Sequence, residues 1–100
     1  MMPATKEKIG YWVDEKTGKH KNEFNNLYTD FEDPWGCSQN CSSLNNKILL
    51  TCLADLGPAS VLDVGCAKGC LSNEISKINT VKKVDAFDVS QVAIKKARKK

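Results

Sequence analysis

A single histidine, His20, is all that the chain of 100 residues contains, which leaves no multi-histidine metal site to build. No apolar run approaches the roughly 20 residues needed to cross a bilayer, so no membrane partner is expected. The start, MMPATKEKIG, lacks the apolar centre of a secretory signal, and a cytoplasmic location is expected. Internal repeats are missing, and the only biased segment is a basic end. The five cysteines are an odd number outside any secretory context, so reduced thiols are expected rather than a disulfide framework. What is present, 41% hydrophobic and 27% charged residues with a net charge of +3, describes an ordinary soluble chain. It offers at most one small domain with a modest core.

Residues 1–20 are polar and lysine-rich, with an apolar island at Ile9, Tyr11, Trp12 and Val13 followed by turn chemistry in DEKTGK. They read as a tail or a small hairpin. In KNEFNNLYTDF the residues Phe24, Leu27, Tyr28 and Phe31 fall on one face of a short helix. That helix stops at Asp33-Pro34, because proline disfavours helical geometry in the residue before it. A second helix has Ser42 or Ser43 to cap its start, a stripe of Leu44, Ile48, Leu49, Cys52, Leu53 and Leu56, and Gly57-Pro58 to end it.

From there strands alternate with helices. SVLDV reads as a buried strand, Gly65 to Gly69 as a turn, and Cys70 to Ile78 as a helix with Leu71, Ile75 and Ile78 on one face. The second strand lies in VKKVDAFDV. Ser90 then caps a last helix whose Ala93, Ile94 and Ala97 face inward and whose Lys95, Lys96, Arg98, Lys99 and Lys100 face water. The predicted fold class is α/β: a Rossmann-like parallel sheet, N-terminal portion only, with two helices followed by βαβα. The expected segments are the tail or hairpin at 1–20, a helical N-terminal lid at 21–57, and the truncated first half of a cofactor-binding domain at 58–100.

A strand that ends in a glycine turn and opens onto a helix exposes backbone to a ligand, and glycine lets that ligand come close. The dinucleotide fingerprint G-x-G-x-x-G fits poorly here, since Ala67 stands at its second glycine and Cys70 at its third. A dehydrogenase is disfavoured accordingly. The alternative is an acid-x-G-x-G-x-G turn, carried by Asp63, Gly65, Ala67 and Gly69. A second acid, Asp88, ends the next strand about 20 residues on, where a carboxylate can take both hydroxyls of a ribose.

Residues 61–69, VLDVGCAKG, resemble the first motif of the class I S-adenosylmethionine-dependent methyltransferases, V-L-D-x-G-C-G-x-G, with alanine for its middle glycine. FDVSQVAIKKA is similar to the D-x-S-x-x-A-[IL]-x-x-A pattern of the same family. The resemblance implies a methyltransferase using S-adenosyl-L-methionine. It sets Asp63 beside the methionyl moiety, the turn at Gly65, Cys66, Ala67 and Gly69 along the methionyl and ribose part, Asp88 on the ribose, and Val89 against the adenine. FEDPWG more loosely resembles small-molecule enzymes such as the nodulation-type N-methyltransferases, which adds Trp35 to the cofactor-binding set and implies a small-molecule or sugar-like acceptor.

Other signals weigh less. Cys37-x3-Cys41 and Cys66-x3-Cys70 look like halves of a zinc site but lack the two-residue knuckle, and no metal is expected. The basic end, KKARKK, reads as a solvated helix face with no RNA-recognition or zinc-finger signature beside it, so nucleic acid is not an expected partner. No catalytic residue is assigned, since a general base would come from acceptor-site loops after later strands. The competing function is a non-catalytic truncated module that contacts a partner through its basic helix. An incomplete core also predicts marginal stability and self-association.

Overall fold

The computed structural model describes residues 6–36 and 41–99. Seven elements follow one another: α1 (Lys6–Ile9), α2 (Phe24–Asp30), α3 (Leu44–Leu56), β1 (Ser60–Val64), α4 (Cys70–Ser76), β2 (Lys83–Phe87) and α5 (Gln91–Arg98). The two strands pair in parallel from Ser60 opposite Lys83 to Val64 opposite Phe87, which makes α4 the crossover between them. This is the α/β class and the βαβα order read from the sequence. The short α1 was not foreseen. Beyond it Val13 and His20 form one antiparallel bridge around a turn in which Asp14 accepts the N–H groups of Lys16 and Thr17.

Capping fixes the helices where the sequence placed the signals. Ser43, not Ser42, caps α3 by accepting the Asn46 N–H at 3.3 Å, and Gly57 closes it with φ 67°. Ser90 caps α5 through the Ala93 N–H at 3.1 Å. α4 ends at Ser76, short of the expected Ile78; Ile75 is buried and Leu71 half-buried on its inward face, and Ile78 is half-buried in the turn that follows. The core is small: Leu27, Tyr28, Cys66, Ala67, Ile75, Val81 and Ala93 are its buried apolar members.

Three expectations need correction. The stripe predicted for α3 largely faces water, with Leu44, Ile48, Leu49, Cys52 and Leu56 exposed; of its members Leu53 alone is half-buried, together with Asn46 and Leu50. Spacing alone could not choose between these faces, because both repeat at helical intervals. β1 is not a buried strand. Burial alternates along it, and Leu62 and Val64 are 60% and 66% exposed because no element among the described residues covers their side of the sheet. Lys96 does not face water. Its ammonium donates to the carbonyls of Tyr28, Phe31 and Glu32, at and just past the end of α2.

The N-terminal segment is thereby fastened to the sheet half. Asn25 on α2 accepts from the Ser90 hydroxyl at 3.0 Å and from the Val92 N–H at 3.2 Å, serving the amino end of α5. Tyr28 packs with Ala67 and Ala93, and Trp35 and Val92 lean on that cluster. The chain from α2 to Trp35 therefore lies beside the glycine turn.

Candidate functional site

The turn after β1 folds back over the end of β2. The N–H groups of Gly65 and Cys66 both donate to the Phe87 carbonyl, at 2.8 and 3.0 Å, and Ala67 N–H donates to Asp88 Oδ2 at 2.9 Å. Asp88 Oδ1 accepts the Ser90 N–H at 2.9 Å, so this one carboxylate ties the turn to the start of α5. With three amides engaged internally, the turn is no phosphate cradle of the dinucleotide type, which needs amides that point outward. Gly65 and Gly69 have φ of 76° and 80°, and Ala67 shares the left-handed region at 51°. The backbone thus takes a glycine-like path through all three places of the motif, alanine included.

A cavity of about 270 Å³ opens beside the turn. Of the predicted cofactor-binding residues, Trp35, Asp63, Gly65, Cys66 and Ala67 line it. Gly69, Asp88 and Val89 do not. Gly69 serves packing instead, because a Cβ there would meet Ala97 Cβ at 3.3 Å, whereas one on Gly65 would meet nothing within 4 Å. Val89 stands 64% exposed next to Asp88 at the carboxyl end of β2. More of the wall comes from residues the sequence reading did not assign to the cofactor, Cys41, Ser43, Asn45 and Asn46, at and before the start of α3. Their advance signals were the helix cap at Ser43 and the cysteine spacing at Cys41, neither of which points to a cofactor.

Asp63 is half-buried and accepts the Ser72 hydroxyl on Oδ2 at 2.5 Å. This bond fixes the carboxylate from the first turns of α4 and leaves Oδ1 for other donors. The Cys66 thiol is pushed above its ordinary range, first by burial and then by the nearby charges of Asp63 and Asp88. It donates weakly to the Ala67 carbonyl at 3.6 Å. A protonated, buried thiol is a poor nucleophile, so Cys66 acts as wall rather than as reagent.

Lys68, in the middle of the turn, is only 7% exposed and directs its ammonium away from the cavity to Glu32 at 3.4 Å. Lys96 reaches the other Glu32 oxygen at 3.2 Å. Both lysines hold the Glu32 carboxyl below its ordinary range, Lys96 more strongly. Trp35 is braced from behind by Trp12, with ring centroids 5.3 Å apart and planes tilted by 48°.

Among the described residues, no three His, Cys, Asp or Glu side chains gather as a metal would require, and no helix is long and apolar enough to cross a membrane. Cys37 of the first cysteine pair lies outside the described residues. The sequence profile of the methyltransferase small domain matches residues 38–100. No curated protein and no solved structure matches the chain.

Proposed function

Because the chain belongs to the methyltransferase small domain family, we propose that its turn and cavity hold S-adenosyl-L-methionine for methyl transfer to a small-molecule or sugar-like acceptor. The observation that carries this reading is a pair of acids at the carboxyl ends of adjacent parallel strands with the glycine turn between them. Ligands of open α/β sheets bind in that crevice.

The residues suit the cofactor's chemistry. Asp63, with one oxygen on Ser72, presents the other to the ammonium of the methionyl part. Asp88 keeps lone pairs beyond those used by Ala67 and Ser90, and a carboxylate can share them with a vicinal diol. Gly65 lets the ligand approach the backbone, since no side chain fills that space. Val89 offers an apolar surface for adenine, and Trp35 a flat wall. When bound, the cofactor supplies a methyl group on a positively charged sulfur. The chain contributes alignment, and near-attack positioning is the larger part of what such a transfer asks of its protein. The helical segment 21–57 acts as the lid on residues 58–100.

A second reading, a non-catalytic module, draws on Lys95, Arg98 and Lys99, which stand exposed along α5. Calorimetric titration of S-adenosylhomocysteine into the chain and into Asp63→Asn separates the two. The cofactor reading expects saturable binding that weakens tenfold or more in the variant, while a folded chain that takes no ligand favours the module.

A further inference from the structure

We propose that Glu32 is the latch of the cavity: paired with Lys68, it holds the segment carrying Trp35 against the glycine turn, and release of that pair opens the way to the wall at Cys66. The inference builds on the lid assigned above to residues 21–57, but its test needs no cofactor, so the latch and the cofactor reading can each fail alone.

Different bonds fasten the two parts of the lid. α2 is anchored well back from the cavity: Asn25 accepts from Ser90 and Val92, buried Tyr28 packs with Ala67 and Ala93, and Lys96 holds the Tyr28 carbonyl at 2.6 Å. Past Phe31 the tie to the sheet half passes through a charge. Glu32 takes Lys68 on one carboxylate oxygen at 3.4 Å and Lys96 on the other at 3.2 Å, while its own side chain is 80% exposed. Shortly after Glu32 comes Trp35, and immediately before Lys68 come Cys66 and Ala67, all three of them cavity wall. The ion pair therefore joins parts of the wall that lie far apart in the chain.

The N-terminal arm goes with the segment. Lys8 donates to the Pro34 carbonyl at 2.6 Å, Tyr11 donates to Asp30, and Trp12 lies against Trp35. Arm and segment form one piece.

The strengths suit a latch. An ion pair whose carboxylate stands in water is weak and is screened by salt. Lys68 differs, because at 7% exposed its ammonium has given up most of its water and relies on Glu32 for compensation. Opening returns that water as it breaks the pair. The two terms oppose each other, which brings the closed and open states near in free energy. The ends of the pair are consequently unequal. Removing the carboxylate leaves a buried ammonium uncompensated and favours opening, whereas an apolar chain in place of the lysine has nothing to solvate and lets the segment stay shut. A residue that merely filled space would show no such asymmetry.

The test follows alkylation of Cys66, 8% exposed, by iodoacetamide, an uncharged reagent, with peptide mass mapping and exposed Cys52 as the reference. Rates are fitted across pH, so that the reactivity of the thiolate is obtained apart from the thiol pKa. Glu32→Gln should raise the thiolate rate at Cys66 about fivefold with Cys52 unchanged, and adding Lys68→Met should return it to within about twofold of the unmodified chain. In the unmodified chain about 1 M sodium chloride should raise the rate about threefold, and in Lys68→Met it should not. Amide exchange in β1 and β2 shows whether each variant keeps its fold. An unchanged Cys66 rate in folded Glu32→Gln, a folded double variant as fast as the single one, or an unmodified chain insensitive to salt would overturn the latch, and the salt measurement decides alone if the variants do not fold. Failure of the folded chain to bind S-adenosylhomocysteine would instead strike the cofactor reading and leave the latch standing.

Discussion

Ala67 shows at the residue scale how sequence and geometry bargain. It stands where the family motif has glycine, and its φ of 51° puts a Cβ into the left-handed region, which costs about 1 kcal/mol. Its methyl is buried against Tyr28 and Ala93, which returns about 0.8 kcal/mol. The terms nearly cancel, so Ala67→Gly should change stability by less than about 0.5 kcal/mol in urea unfolding; a much larger loss would mean that packing dominates. Alanine at Gly65 should cost about 1 kcal/mol from φ alone, and alanine at Gly69 more, because it also crowds Ala97. The order of the two midpoints checks this. Buried and held protonated, Cys66 should resist iodoacetamide at neutral pH while exposed Cys52 reacts, which peptide mass mapping would show. The motif residues were legible because a strand, an acid and glycines stand in fixed register. That Gly69 serves packing rather than the cavity was not, since the neighbour that decides it, Ala97, belongs to another helix.

At the scale of elements, local signals succeeded and remote ones were silent. Ser43, Gly57 and Ser90 end or begin helices through bonds to residues three or four positions away, and such spacing is visible in a sequence. Asn25 serves α5 across more than 60 residues, and Lys96 serves α2 across a similar gap, with no periodicity to announce either. A lysine in a basic run looks solvated until the carbonyls it meets are known. Asn25→Ala should therefore loosen α2, and amide exchange should rise in residues 24–31 well before it rises in β1 and β2.

Glu32 gives this docking a pH dependence. Lys96 and Lys68 lower its folded pKa, so its contribution is present above the ordinary value of 4.5 and is lost as pH falls through the lower folded value. The Glu32→Gln chain should melt below the unmodified chain at pH 6 and converge with it in strong acid. A constant gap across that range would contradict the pairing.

For the whole molecule, the accessible surface of 6977 Å² exceeds the about 5,700 Å² expected of a compact chain of this mass. The excess is apolar in part: Leu62, Val64 and Phe87 on one side of the sheet and Leu44, Ile48 and Leu56 on α3 are all at least half exposed. An apolar surface of this kind promotes association. Sedimentation should show weight-average mass rising with concentration, and Leu62→Lys should reduce the rise. The sequence supplied strand order, crossover and an incomplete core, but not which face of the sheet stands open, because a period-2 pattern tells which residues share a face and not whether anything covers it.

The central claim, that the turn between Asp63 and Asp88 receives the cofactor, is tested most directly by following backbone amide resonances of the labelled chain during titration with S-adenosylhomocysteine. The account predicts saturable shifts concentrated at Gly65, Cys66 and Ala67 and near Asp88 and Val89, with small changes along α3 beyond its first turn. Shifts confined to α5, or none at all in a folded chain, would contradict it.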